Sequence, residues 1–279
     1  MPQISIITVN YNNKAGLERT INSVAQQVYQ DYEHIIIDAA SNDGSLEVIL
    51  NNKDKFSYWV SEKDRGIYHG MNKGIAAAKG EYLLFLNSGD YLIDNNALNI
   101  DYINYNSDLL IGYHTTLSED QALKIITYDD KNIDLGFFIV STLPHSSTLI
   151  KKSLFDSFGY YDETYKICAD WVFFYRAVIC EGSSVSKLQQ PIGVFELGGV
   201  STNKSNKELV QKERERFLNK VLDKYSITYI REIYPLLQEN SYLKKELEDQ
   251  KEKGAAYYKK ISSLKGIGLL VKLNQLFGS

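Results

Sequence analysis

Within its first ninety residues the chain repeats one unit, a short apolar run rich in β-branched residues that closes on polar groups and gives way to a helical pattern. Ile4 to Val9 ends in the turn-rich Asn10-Tyr11-Asn12-Asn13, and Ala15 to Gln27 follows with Leu17, Ile21 and Val24 at helical spacings of four and three. His34 to Asp38 is an apolar strand closing on a carboxylate. After the loop Ser41-Asn42-Asp43-Gly44-Ser45, Leu46 to Leu50 predicts a short helix with Ser45 as its N-cap. Tyr58 to Ser61 predicts a third strand, and Ile67, Met71, Ile75 and Ala78 mark a helix that Gly80 stops. Tyr82 to Leu86 is a fourth strand, ending in Asn87-Ser88-Gly89-Asp90. This alternation predicts an α/β fold, a sheet with helices on both faces.

Such a sheet binds ligands beyond the carboxyl ends of its parallel strands. Thr8 to Tyr11, Asp38, Glu62 to Asp64 and Asn87 to Asp90 are therefore expected on one rim. Any one polar loop needs no function, but four such strand ends in succession point to a site. With 279 residues, 44% of them hydrophobic and 24% charged, the chain can bury a large core, and disordered and collagen-like classes are excluded. Thirty-one basic against 35 acidic side chains leave a net charge of −4, which argues against a partner held by overall basicity, so no nucleic acid is expected. Cys168 and Cys180 fit neither a disulfide framework nor a zinc spacing and are expected to be reduced. The start, Met1-Pro2-Gln3, lacks a basic leader segment, and no apolar run reaches membrane-spanning length, so the expected location is cytoplasmic.

Beyond residue 98 the pattern weakens, with approximate strands at 108–113 and 123–128. It returns as a strand at 143–150, a helical turn at 153–158, a helix at 170–180 and a strand at 191–196, before Gly198-Gly199-Val200-Ser201. Residues 204–279 are rich in Lys, Glu, Asn and Leu. Ile233/Leu236, Asn240/Leu243, Leu247/Gln250, Gly254/Tyr257 and Ile261/Leu264 recur as an imperfect heptad seam. Two domains are expected, 1–203 and a helical extension at 204–279. The seam reads either as an arm joining a homo-oligomer or as helices folded back on the first domain. The apolar, lysine-dotted Leu264 to Leu273 reads either as peripheral membrane contact at the inner face or as packing against a partner helix.

Ile6-Ile7-Thr8-Val9-Asn10-Tyr11-Asn12, Ile36-Ile37-Asp38 with Ser41 to Ser45, Glu62-x-Asp64-Arg65-Gly66-Ile67-Tyr68 and Met71-Asn72-Lys73-Gly74 occur in this order. Leu86-Asn87-Ser88-Gly89-Asp90, His145-x-Ser147, Asp170-Trp171 and Gly198-Gly199-Val200-Ser201 follow. Together they resemble family 2 glycosyltransferases of the GT-A fold over about residues 1 to 203. The resemblance implies an inverting transfer of one sugar from a UDP-sugar to a hydroxyl of a glycan or lipid-linked glycan, as in bacterial surface-polysaccharide synthesis, with Mn²⁺ or Mg²⁺ as cofactor. A Q-x-x-R-W motif and transmembrane helices, features of the family's processive synthases, are missing, so a single addition per encounter is expected.

The chemistry asks for three kinds of residue. Tyr11 can stack on a pyrimidine while Asp38 accepts a proton from the base; the resemblance adds Thr8, and Asn10, Asn87, Ser88 and Gly89 complete the expected nucleotide contacts. Asp90 takes the metal position, although Asn87-Ser88-Gly89-Asp90 keeps one carboxylate where the fuller family form clusters several. Arg65 offers a planar fork for a phosphate oxygen or is simply a surface arginine. The resemblance implies His145 as a metal or diphosphate contact, and Trp171 and Ser201 as acceptor or lid residues; His69 is expected to be peripheral. Asp170 is the expected general base, with Ala169 where relatives carry a second acidic residue; the alternative for Asp170 is a plain helix cap. Two other classes compete: a nucleotide-holding scaffold that assembles partners through its helical arm, and a nucleotidyltransferase, against which the lack of a Gly-rich phosphate loop counts.

Overall fold

A computed structural model describes residues 2–102, 104–117, 123–126, 133–197, 199 and 204–221. Ser201 and the heptad seam lie outside the described residues. The first half is the expected alternation: β1 (Ile4–Asn10), α1 (Lys14–Ala25), β2 (Tyr32–Asp38), α2 (Ser45–Asn51), β3 (Tyr58–Ser61), α3 (Ile67–Ala77) and β4 (Tyr82–Phe85). There follow β5 (Tyr91–Leu92), β6 (Leu109–Leu117), β7 (Leu123–Ile126), α4 (Leu135–Val140), β8 (Thr148–Lys151), α5 (Lys152–Phe158), α6 (Ala169–Tyr175), β9 (Val185–Glu196) and α7 (Lys207–Val221).

The strands form one mixed sheet in the order β3-β2-β1-β4-β8-β6-β9-β5, with β7 paired to β6. β1 to β4 run parallel, so their carboxyl ends share one rim, and β8 closes the other edge of β4 in the antiparallel sense. Alternate residues of β1 face opposite ways. Ile4 and Ile6 join Val24 of α1, whereas Ile7 and Val9 face α3, where a Cβ at Gly74 would run into Ile7 and one at Gly70 into the Asp64 carboxylate. Leu17 and Ile21 of α1 pack with Ile36, Val48 and Ile49. The core that holds Ile4, Ile6 and Val24 continues through Leu84 and Leu86 to Leu110, Leu149, Leu188 and Ile192, uniting the two halves of the sheet. The compact unit extends to Phe217 and so takes in most of α7.

Several expectations are corrected. The strand read at 143–150 begins only at Thr148. Before it, residues 145–147 form a 3₁₀ turn, closed by the Ser147 N–H on the Pro144 carbonyl (3.0 Å). Ser45 opens α2 rather than capping it: Gly44, at φ 92°, holds the N-cap position, and the Ser45 hydroxyl bonds Asp43 at 2.6 Å. β9 starts six residues earlier than read. Pro191 is accommodated because the β6–β9 register shifts around it, where a missing N–H is tolerated.

Candidate active site

Asp38 ends β2 fully buried, and its carboxylate is saturated locally. Asn10 Nδ2 (2.7 Å) and Ser41 Oγ (2.6 Å) donate to one oxygen; Ser61 Oγ (2.6 Å) and the Ser41 N–H (3.0 Å) donate to the other. These donors come from the ends of β1, β2 and β3, so Asp38 ties three strand ends together at the rim. Asn10 Oδ1 beside it is buried without a partner. Tyr11, the next residue, is 68% exposed, a free aromatic face next to this cluster. Thr8 is not on the rim: fully buried, its hydroxyl meets His34 Nε2 at 3.0 Å inside the core.

The turn after β4 is held from both sides. Asn13 Nδ2 donates to the Ser88 carbonyl (2.8 Å), Arg19 to the Gly89 carbonyl (2.7 and 3.1 Å), and Thr20 Oγ1 to the Asp90 carbonyl (2.6 Å), all from α1 or its cap. From β9 the Glu196 N–H donates to Asp90 Oδ1 at 3.0 Å, while the Glu196 carboxylate pairs with Arg19 at 2.6 Å. Gly89 sits at φ +113°, and a Cβ there would overlap the Glu196 carboxylate. The Glu196 carboxylate thus occupies the space a side chain at 89 would take. Burial pushes the Asp90 carboxyl up to about 7, partly opposed by the Glu196 N–H.

Among the described residues no group of three or more His, Cys, Asp or Glu side chains surrounds a common point. What the turn offers is hard oxygen: the Asp90 carboxylate and the buried, unpartnered Asn87 Oδ1. That donor class fits Mg²⁺ or Mn²⁺ completed by ligand oxygens rather than a softer ion.

The third cluster surrounds Asp170, whose side chain is 22% exposed. The Tyr68 hydroxyl, in the first turn of α3, lies between two acceptors, Asp170 Oδ1 at 2.8 Å and the Ile167 carbonyl at 2.5 Å, which share its single proton. His145 stacks on Phe85 at the end of β4, hydrogen-bonds Tyr161 Oη through Nε2 (2.8 Å) and directs Nδ1 toward Asp170 Oδ2 at 3.9 Å. Burial lowers the His145 pKa, with Asp170 opposing, and raises the Tyr68 and Tyr161 hydroxyls well above their usual value. His145, expected as a metal or diphosphate contact, makes these contacts with Phe85, Tyr161 and Asp170. Asp170 lies within the first turn of α6, whose N-cap is Cys168, so it does not cap the helix. Trp171, expected at the acceptor, is turned inward: 2% exposed, its indole N–H donates to the Phe138 carbonyl at 2.9 Å. The Arg65 guanidinium is 71% exposed and pairs with Glu163 at 2.7 Å. His69, expected to be peripheral, is half-buried and faces Asp64 Oδ1 at 3.2 Å, where Lys73 also pairs with that carboxylate.

Tyr68, Tyr161, Ser41, Arg19 and Glu196 escaped sequence reasoning as participants. Tyr68 stands inside a quoted motif and Ser41 in a quoted loop, so both were findable. Arg19 and Glu196 meet Gly89 only through the fold.

A family model, Glycosyl transferase family 2, matches residues 5–99. An uncharacterized glycosyltransferase of Mycobacterium tuberculosis is 33% identical over 194 residues, 64% of this chain and 71% of that protein. The chain belongs to glycosyl transferase family 2. This glycosyltransferase is also 24% identical over 226 residues to a PGL/p-HBAD biosynthesis glycosyltransferase of Mycobacterium bovis, covering 76% of this chain and 84% of that one. Its fold is similar to that of S. aureus TarS 1-349, solved in complex with UDP (TM-score 0.61, 20% identity, 81% of this chain and 68% of that one). It is likewise similar to the mannosyltransferase PcManGT of Pyrobaculum calidifontis, solved with GDP-Man and Mn²⁺ (TM-score 0.58, 14% identity, 98% and 81%). Among the described residues, no helix of the glycosyltransferase is long and apolar enough to cross a membrane.

Proposed function

We propose that the glycosyltransferase moves one sugar from a UDP-sugar to a hydroxyl of a glycan or lipid-linked glycan in surface-polysaccharide synthesis, with inversion at the anomeric carbon. The observation that carries this reading is Asp170: a partly open carboxylate that meets the Tyr68 hydroxyl of α3 and faces His145, which stacks on Phe85 at the end of β4. Tyr11 stacks on the base, beside Asn10 and Asp38. Asn87, Ser88 and Gly89 border the diphosphate. Asp90 and Asn87 Oδ1 would hold Mn²⁺ or Mg²⁺, which when bound offsets the charge of the leaving diphosphate.

The acceptor hydroxyl gives its proton to Asp170 as its oxygen attacks the anomeric carbon; the bond to the diphosphate oxygen breaks, and UDP leaves from the opposite face. Tyr68 keeps the carboxylate turned toward that hydroxyl. His145, with its pKa lowered by burial, stays neutral at physiological pH and does not quench the base.

The test is nucleoside diphosphate release from a panel of sugar nucleotides with Mn²⁺, Mg²⁺ or EDTA. We expect metal-dependent UDP release that Asp90→Ala abolishes, and an Asp170→Asn enzyme that binds UDP at wild-type affinity but turns over about a hundredfold or more slowly. UDP binding without turnover of any donor, across an acceptor panel, would favour the scaffold reading; turnover that Asp170→Asn leaves intact would remove Asp170 as the base.

A further inference from the structure

Asp170 stands in the first turn of a helix whose N-cap residue makes no side-chain cap bond. Cys168 occupies the N-cap position, and no side chain of the local sequence accepts a bond from the first turn. The free backbone donors just upstream all converge on one distant carboxylate. Glu213, in the middle of α7 and 6% exposed, accepts from the Lys166 N–H at 2.6 Å through one oxygen and from the Ile167 and Cys168 N–H groups at 3.0 Å each through the other. The backbone of Ile167 is therefore held at both ends, its N–H by Glu213 and its carbonyl by the Tyr68 hydroxyl at 2.5 Å, whose proton is shared with Asp170.

The rest of α7 makes the grip rigid. Phe217, one turn on, meets the Trp171 ring edge-on at 5.6 Å and Tyr175 at 5.1 Å, so the helix face opposite Asp170's exposed side is packed against α7. Arg216 donates to the Thr164 carbonyl at 3.1 Å and lies 3.9 Å from the Tyr165 ring centroid. A buried carboxylate with three backbone donors is stabilised by charge-assisted bonds, and its removal leaves those three N–H groups without partners.

We propose that Glu213 is a positioning residue for catalysis: it fixes the segment 166–168 and through it the orientation of Asp170, making α7 part of the catalytic apparatus. This rests on Asp170 being the base. A base held by backbone anchors loses rate steeply when it shifts, because about 1 Å of misplacement costs on the order of a hundredfold. Binding of UDP at the β1–β2 end of the rim should be indifferent to Glu213.

The test compares wild type, Glu213→Gln, Glu213→Ala and Asp170→Asn by UDP affinity, kcat and amide hydrogen exchange. Glu213→Gln keeps acceptor oxygen without the charge and should lose about fivefold in kcat, and Glu213→Ala about fiftyfold, with UDP affinity within about twofold of wild type. Exchange should speed up at the amides of residues 166–170 while β1 and β2 stay protected. Wild-type kcat in folded Glu213 variants would overturn the proposal, as would a kcat loss matched by an equal loss of UDP affinity. If Glu213→Ala does not fold, Glu213→Gln decides by the same comparison. Turnover retained by Asp170→Asn refutes the base assignment itself; an inactive Asp170→Asn beside silent Glu213 variants refutes only the role of Glu213.

Discussion

His34 offers a quantitative check on how the β1–β2 core of the sheet is built. It lies on β2, fully enclosed, edge-on to Phe56 and bonded to the Thr8 hydroxyl, and burial lowers its pKa from 6.5 to about 3. A histidine kept neutral in the fold but free to protonate once unfolded favours folding fully above pH 6.5. That support is lost as the pH falls toward 3, because the unfolded chain binds the extra proton. At about 1.4 kcal/mol per pH unit, the loss between pH 7 and pH 5 is roughly 2 kcal/mol from this side chain. Asp90, with a pKa raised to about 7, works in the opposite direction: its contribution is largest at low pH and is lost as the pH rises through 7. The raw stability profile therefore conceals both. The difference between wild type and His34→Asn isolates the histidine, since Asp90 is common to the two proteins. Urea unfolding at pH 7, 6 and 5 should show that difference shrinking by about 2 kcal/mol. A difference that does not change with pH would mean that His34 protonates in the fold and that the Thr8–His34 contact is not sealed from water.

Three further outcomes follow from the geometry. Tyr11→Ala should weaken UDP binding by about tenfold, the scale of a lost base–aromatic stack, with no change in melting temperature because the ring is exposed; calorimetry reads the first and a thermal melt the second. Gly89→Ala should cost about 1–2 kcal/mol for a side chain at positive φ and displace the Glu196 carboxylate from Arg19. In a Glu196→Ala background the same substitution should cost less, a coupling that a denaturation cycle measures. Asp38→Ala removes the acceptor for four donors and should destabilise by about 3 kcal/mol in urea unfolding, so its loss of UDP binding must be judged against Asp38→Asn.

Much of the first half was legible because short apolar runs and helical spacings decide their own structure locally. The rim was legible for the same reason: parallel strands bring Asn10, Asp38 and the Asp90 turn to one edge whatever the loops do. What was not legible depends on pairing across distance. Thr8 reads as a rim residue from its motif, yet its partner is His34 on the neighbouring strand, and nothing near Thr8 in sequence says so. Trp171 adjoins the proposed base in sequence but points the other way, because successive residues of a helix lie on different faces and Phe138 and Phe217 cover one of them. The strand expected across His145 failed because Pro144 and the Ser147–Gly193 contact impose a turn there. Glu213 gave no local signal, since an acidic residue amid Lys, Glu and Arg on a polar helix reads as surface.

The stretch that the family model matches, 5–99, ends between the strands that complete the sheet. β4 stands at its edge, and the partner that covers that edge, β8, arrives about fifty residues later, together with Leu110, Leu149, Leu188 and Ile192, which close over Leu84 and Leu86. A fragment cut at residue 99 would present a bare apolar strand edge to its neighbours and would self-associate rather than fold. During synthesis the same exposure persists until β8 and β9 leave the ribosome, so the most diagnostic part of the sequence is also a part that cannot stand unaided while the remainder is being made.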